Sequence, residues 1–335
     1  MAGVWSYQRE FVEPVLTRKQ VQALNYQAFF EDKESYRWYN SIAAALPNCP
    51  VMATKTVVAD READIYPLLT GLQALGVDYV IRSKHNRPLQ PQGNLYQLVN
   101  TFSQQHQFSL ALPATDKRSA HTAVLQVSFG PVELKKSAAK SRQPQPITHP
   151  CWVVKVVEDA CSVVGQEKPI SWVLLTSHPV ENLQQALQII EYYRQRWHIE
   201  QVFRTLKTKG LCIESSQVRT EAALKKLLLL ALMAAVKVLQ LIRARDGTTN
   251  QTMADAFTPE EQQVLSKLNG TLQGKTNKLK NPFPADSLAF AAWVIARLSG
   301  WSGYQSQRPP GPIDLLIGLQ RFEERYQGYI LANSP

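Results

Sequence analysis

The chain has 335 residues, 44% hydrophobic and 19% charged, which supplies a sizeable core and excludes a disordered protein. Lys and Arg number 37 against 27 Asp and Glu, a formal charge of +10 that suits a polyanionic partner, although a generally basic solvated surface reads the same way. Cys49, Cys151, Cys161 and Cys212 are scattered without a Cys-x-x-Cys pair, which argues against a zinc site or disulfide framework and for reduced thiols.

The N-terminus, MAGVWSYQREF, lacks the basic-then-apolar order of a secretory signal, and Val4 to Phe11 reads as a strand. A helix is expected around Tyr36 to Leu46. The β-branched run Thr56-Val57-Val58-Ala59 follows and ends in Asp60. Ile65, Leu68, Leu69, Leu72 and Leu75 mark the apolar face of a second helix, Gly76 closes it, and Tyr79-Val80-Ile81 is the next strand. Strand, helix and strand at this spacing predict a parallel sheet unit.

From Asn86 to Thr176 the pattern becomes short alternating runs: Phe108 to Leu112, Ala123 to Phe129, Val132 to Leu134, Trp152 to Val157 and Ile170 to Thr176. Gly130-Pro131 reads as a turn between two of them, and the basic, Pro-rich segment Lys135 to Pro150 as an exposed loop. The stretch is expected to be an antiparallel β insertion. Beyond Pro179 the chain turns helical, with one helix from Asn182 to Lys207 and a more apolar one from Glu221 to Arg245. The apolar run Leu227 to Val236 is flanked by lysines and is too short to cross a bilayer, so a buried core helix is expected. Thr258-Pro259-Glu260-Glu261 is a helix start with a capping box, and further helices are expected over Ser287 to Leu298, stopped by Gly300, and Ile313 to Tyr326.

Two places could carry chemistry. On a continuous helix, Tyr193, Arg196, Glu200 and Lys207 fall within a stripe roughly 60° wide, bordered by Ile190, Trp197, Ile199 and Phe203. A glutamate among cations could hold a metal ion while Arg196 and Lys207 grip phosphates. A surface helix with an Arg196–Glu200 ion pair is the bland alternative. Asp60 stands where open α/β sheets present their sites, at the C-terminal end of a parallel strand; alternatively it caps the following helix, whose first turn Glu62 and Asp64 would support.

The DREADI run, the Tyr-x2-Arg-x3-Glu-x6-Lys signature (Tyr193, Arg196, Glu200, Lys207) and the intervening β insertion together resemble the insertion sequence 4 family of DDE transposases, most closely its Tn-five-like members. Asp32-Lys33-Glu34-Ser35, Val80 to His85 and Ile170 to Thr176 fit the same order, so the resemblance covers nearly the whole chain. It implies an α/β fold with an RNase H-like core, a mixed sheet flanked by helices, that carries the β insertion and a C-terminal helical region. Residues 1–88 would be the first part of the core, 89–176 the insertion, 177–246 the second part with the signature helix, and 247–335 a dimerisation region. By resemblance, Asp60 and Glu200 are the second and third carboxylates of the catalytic triad and the ligands of Mg²⁺ or Mn²⁺. Tyr193, Arg196 and Lys207 would hold DNA phosphates. Trp172 stands where similar transposases stack a flipped base, and a core tryptophan is its alternative. Arg82 and Lys84, with Arg87 behind them, would contact DNA or form a solvated basic loop.

The implied activity is metal-dependent phosphodiester cleavage and strand transfer at transposon ends, by a homodimer on double-stranded DNA. The expected location is the cytoplasm, on a bacterial nucleoid and away from membranes. The first triad aspartate would lie on a strand upstream of the DKES run. None is found before Asp60, so the expectation is a truncated polypeptide that does not cleave DNA alone. A non-catalytic truncated transposase that binds DNA or dimerises with full-length copies, and so inhibits them, is the alternative. A stand-alone RNase H-like nuclease is a weaker third.

Overall fold

A computed structural model describes residue 17 and residues 29–102, 106–112, 119–136, 145–165, 167–207, 210–304 and 308–333. The strand expected over Val4 to Phe11 lies outside the described residues. The chain forms two compact units, Met1–Trp197 and His198–Pro335.

The first unit is a six-stranded mixed sheet with helices on both faces. Strands β1 (Thr56–Ala59) and β2 (Asp78–Arg82) run parallel, joined through helix α2 (Tyr66–Ala74), as the apolar spacing predicts. Gly76, at φ +65°, closes that helix in the left-handed conformation that a side chain would disfavour. Next to β2 comes β6 (Ser171–Thr176), then β5 (Thr148–Glu158), β4 (His121–Lys135) and β3 (His106–Leu112), each antiparallel to its neighbour. The expected β insertion therefore continues the same sheet as the parallel pair.

Alternate residues feed two cores. Tyr79, Ile81, Val153 and Leu175 pack with Leu68, Leu69 and Leu72 of α2, with α1 (Arg37–Ala45) and with Leu95 and Val99 of α3 (Leu95–Asn100). Val80, Val154, Val156 and Leu174 point the other way, onto Ala186, Ile189, Ile190 and Tyr193 of α4 (Leu183–Gln195). Burial on both faces explains why β2 reads as an unbroken apolar run.

Gly130-Pro131 is not a turn. β4 runs straight through it, with Gly130 opposite Val153 and Pro131 opposite Trp152 of β5. β3 pairs with β4 only as far as Val127, so the missing proline N–H falls where β4 has no β3 partner to donate to. Nor is Lys135 to Pro150 all loop: Lys135 ends β4 and Thr148 to Pro150 begin β5, while residues 137–144 lie outside the described set.

At the insertion end, Glu158 is buried and accepts from the Ile170 N–H at 2.9 Å and from His121 Nε2 at 2.9 Å, while His121 Nδ1 faces the Ser119 carbonyl at 3.0 Å. The Glu158 carboxylate first, and then the Ser119 carbonyl, raise the His121 pKa by favouring a ring protonated on both nitrogens. A raised folded-state pKa contributes stability below the unfolded value that is lost as pH rises through the folded one. The urea midpoint of the protein should therefore fall as the pH rises above the ordinary histidine range, and His121→Asn should flatten that limb. An unchanged slope in the variant would contradict the assignment.

The second unit is helical. It comprises α5 (Trp197–Lys207, whose first residue belongs to the first unit), α6 (Glu221–Ala244), α7 (Pro259–Leu272), α8 (Leu288–Ser299) and α9 (Pro312–Asn333). The capping box at α7 forms as read, with the Thr258 N–H donating to Glu261 and the Glu261 N–H to Thr258 Oγ1. Such a cap contributes about 1 kcal/mol. Ser287 caps α8 and Gly300 ends it. α8 is buried almost throughout and forms the hub of a core with Leu241, Leu265, Leu315 and Phe322.

Two helix expectations are corrected. The expected helix Asn182 to Lys207 is interrupted at Arg196, whose N–H bonds to the Tyr193 carbonyl at 3.1 Å in a tighter three-residue step. The four signature residues therefore do not share one unbroken helix. α6 spans the expected residues, and at 24 residues and a mean hydropathy of 2.0 it is long and apolar enough to cross a membrane; the expectation corrected is its burial. It is only half a core helix. Ala231, Ala235, Val238, Leu241 and Ala244 are buried, whereas Leu224, Leu228, Leu229, Leu230 and Met233 are exposed. A core helix of a water-soluble protein passes the same length test, so α6 does not argue for a membrane.

Candidate active site

β1 ends at Ala59 and hands Asp60 to the C-terminal edge of the parallel pair, where backbone pairing stops and side chains become available. Asp60 has an extended backbone and caps the short turn Arg61–Ala63, its Oδ1 accepting from the Arg61 N–H at 2.8 Å. The capping alternative is thus realised, on this 3-10 turn rather than on α2, which starts later at Tyr66 with Pro67 in its first turn.

The same carboxylate meets two signature residues. The Tyr193 hydroxyl donates to Asp60 Oδ1 at 3.3 Å, and Arg196 Nη1 lies 3.9 Å from Oδ2. The Asp60 side chain remains 43% exposed, so the oxygens stay open to solvent or substrate. Tyr193 is buried, with the Arg196 guanidinium 5.6 Å from its ring centre. Burial first, and the Asp60 charge second, push the Tyr193 pKa up; Arg82 and Arg196 pull the other way. Tyr193 stays a neutral hydroxyl that can donate.

Arg82, the last residue of β2, donates to the Ser171 carbonyl at 2.8 Å, and its charge is near enough to the Tyr193 hydroxyl to lower that group's pKa. Trp172, the next residue on β6, is half-buried and packs edge-on against Tyr193 with ring centres 5.3 Å apart. Asp60, Arg82, Trp172, Tyr193 and Arg196 therefore form one cluster, although the sequence placed them in four separate segments. Lys84 is exposed on the loop after β2. Glu200 and Lys207 belong to the second unit. Glu200 is half-buried on α5, and Lys207 pairs with Glu214 at 2.8 Å.

Two sequence readings fail nearby. Asp64 does not support a helical turn: it is buried and bonded to the backbone of Lys84 and His85. Arg87 is not a solvent-facing DNA contact, because it forms a buried ion pair with Asp64 at 2.6 Å. Pro67 was the available signal. A proline opening the helix puts Asp64 outside its first turn, so the carboxylate needs another partner.

Residues 39–237 match the Transposase DDE domain family, which is more than half the chain and includes all eight residues singled out from the sequence. This chain belongs to the DDE transposase family. The family is one of polynucleotidyl transferase-type enzymes acting on DNA, and its members generally use divalent metals. The mixed sheet with its helices is compatible with such a domain. Among the described residues no group of three or more His, Cys, Asp or Glu side chains is gathered. Asp60 nonetheless fits a hard divalent ion, as an open carboxylate whose Oδ2 lies 3.9 Å from Arg196 Nη1.

Proposed function

We propose that this DDE transposase is a Tn-five-like member of the insertion sequence 4 family with an RNase H-like core. Its reaction is metal-dependent phosphodiester cleavage and strand transfer at transposon ends. The observation that carries the reading is the open Asp60 carboxylate at the end of β1, met by Tyr193 and Arg196, with the Arg82 charge beside Tyr193. An exposed carboxylate beside cations suits a substrate that is itself anionic and brings a cation with it.

Asp60 and Glu200 are the residues proposed to hold Mg²⁺ or Mn²⁺. When bound, the metal lowers the pKa of an attacking water or 3′-hydroxyl and stabilises the leaving oxygen. Arg196 and Lys207 neutralise phosphate charge and fix the register of the DNA without reading bases. Tyr193 holds the Asp60 carboxylate in place by donating its hydroxyl proton, and its ring seats Arg196. Trp172 offers a half-exposed indole on which a displaced base can stack, while Arg82 and Lys84 add charge beside it. Residues 247–335 are proposed as a dimerisation region on paired DNA ends, in a cytoplasmic, nucleoid-bound protein.

Fluorescence anisotropy with a labelled duplex tests the reading. Affinity should fall steeply with salt. Arg196→Ala and Lys207→Ala should each weaken binding and flatten the log–log salt slope by about 0.9. Salt-independent binding, or unchanged affinity in both variants, would overturn it.

A further inference from the structure

The carboxylate that the DDE reading leaves idle is Asp64, four residues past Asp60. Its side chain is completely buried and every bond it makes goes to one loop. Oδ2 accepts from the Lys84 N–H at 2.6 Å, the His85 N–H at 3.0 Å and Ser83 Oγ at 3.4 Å. Oδ1 accepts from Arg87 Nε at 2.8 Å and Nη2 at 2.6 Å, and Nη2 also reaches the Asp64 carbonyl at 2.7 Å. The two oxygens are saturated, which leaves nothing for a metal ion.

Burying a charge is costly, and a buried ion pair contributes little net stability compared with apolar packing. What it does provide is a single geometry. The bidentate Arg87 fork and the two loop amides fix the Ser83–Arg87 segment in one conformation. That segment leaves β2 directly after Arg82, whereas Asp64 follows the turn capped by Asp60. One carboxylate thereby ties together the loops after the two parallel strands. The amides of Lys84 and His85 are spent on Asp64 and cannot serve a phosphate. The Lys84 ammonium, exposed and in no ion pair among the described residues, is what the loop presents.

We infer that Asp64 is a positioning residue. With Arg87 it holds the loop so that Lys84 meets the DNA backbone on the side where Asp60 and Arg82 stand. The inference rests on the proposed DNA-binding role of Lys84.

A double-mutant cycle on duplex affinity tests it. Asp64→Asn keeps the shape and loses the charge; Arg87→Lys keeps the charge and loses the fork. Lys84→Ala should weaken binding several-fold in the wild-type background and have little further effect in either variant. Amide exchange at Lys84 and His85 should become at least about tenfold faster in both variants. Equal Lys84→Ala effects in all backgrounds, a silent Lys84→Ala in a wild type that still binds DNA, or unchanged exchange at the two amides would overturn the inference. Should Asp64→Asn fail to fold, Arg87→Lys reads the same cycle. A wild-type chain that fails to bind DNA at all defeats the proposed function, a result distinct from additivity within the cycle.

Discussion

Gly318→Ala should destabilise the helical unit by more than about 3 kcal/mol, beyond the usual range for overpacking a core. Gly318 lies on the buried face of α9, between Leu315 and Phe322, where the helix crosses α8. A β-carbon there would sit against the Ile295 carbonyl oxygen, 2.7 Å from its carbonyl carbon and 2.8 Å from Cγ2. Two of those three atoms are backbone and cannot rotate away, so the helices would have to separate and expose Leu315 and Phe322, which are now essentially buried. Gly328, on the same helix, supplies the control, because its β-carbon would meet nothing within 4 Å. Gly328→Ala should stabilise by up to about 1 kcal/mol through helix propensity alone. Urea unfolding of the two variants checks the contrast. Equal effects would mean that α8 and α9 do not approach as described.

How much of this was legible beforehand follows from the range of the forces involved. β1, α2 and β2 are set by local periodicity and by Gly76, and they were readable to within a residue or two. The Thr258 capping box and the Gly300 stop are equally local. Gly130-Pro131 misled because a turn reading weighs only two residues, whereas the pairing of Pro131 with Trp152 depends on a strand many residues away. The interruption at Arg196 left no mark in the sequence: no glycine or proline stands there, and the residue keeps helical dihedrals. The bounds of α6 were legible, but its burial was not: the apolar run read as core lies on its exposed half. The site was legible in its residue types but not in its contacts. Asp60, Tyr193 and Arg196 carry a family pattern, whereas the nearness of the Arg82 charge to Tyr193 and the anchoring of Arg87 by Asp64 arise only when β2 is laid beside β1.

Asp60→Asn should abolish metal binding at the proposed active site while leaving the fold intact. Asparagine preserves the side chain's shape, and its carbonyl oxygen can still cap the Arg61 N–H and accept from Tyr193. The variant loses only the negative charge, the property a hard divalent ion requires of its ligand. Loss of an outer-shell partner typically weakens a metal about 10–100-fold, and loss of a ligand itself should cost at least as much. Glu200→Gln should do the same if both carboxylates serve one centre. Iron-directed backbone cleavage of the DNA-bound protein, with Fe²⁺ and peroxide replacing the native ion, reports where a divalent cation sits. The account predicts cuts beside both Asp60 and Glu200 in the wild type and the loss of both sets in either single variant. Cuts at only one of the two residues, or a pattern that survives Asp60→Asn, would contradict it.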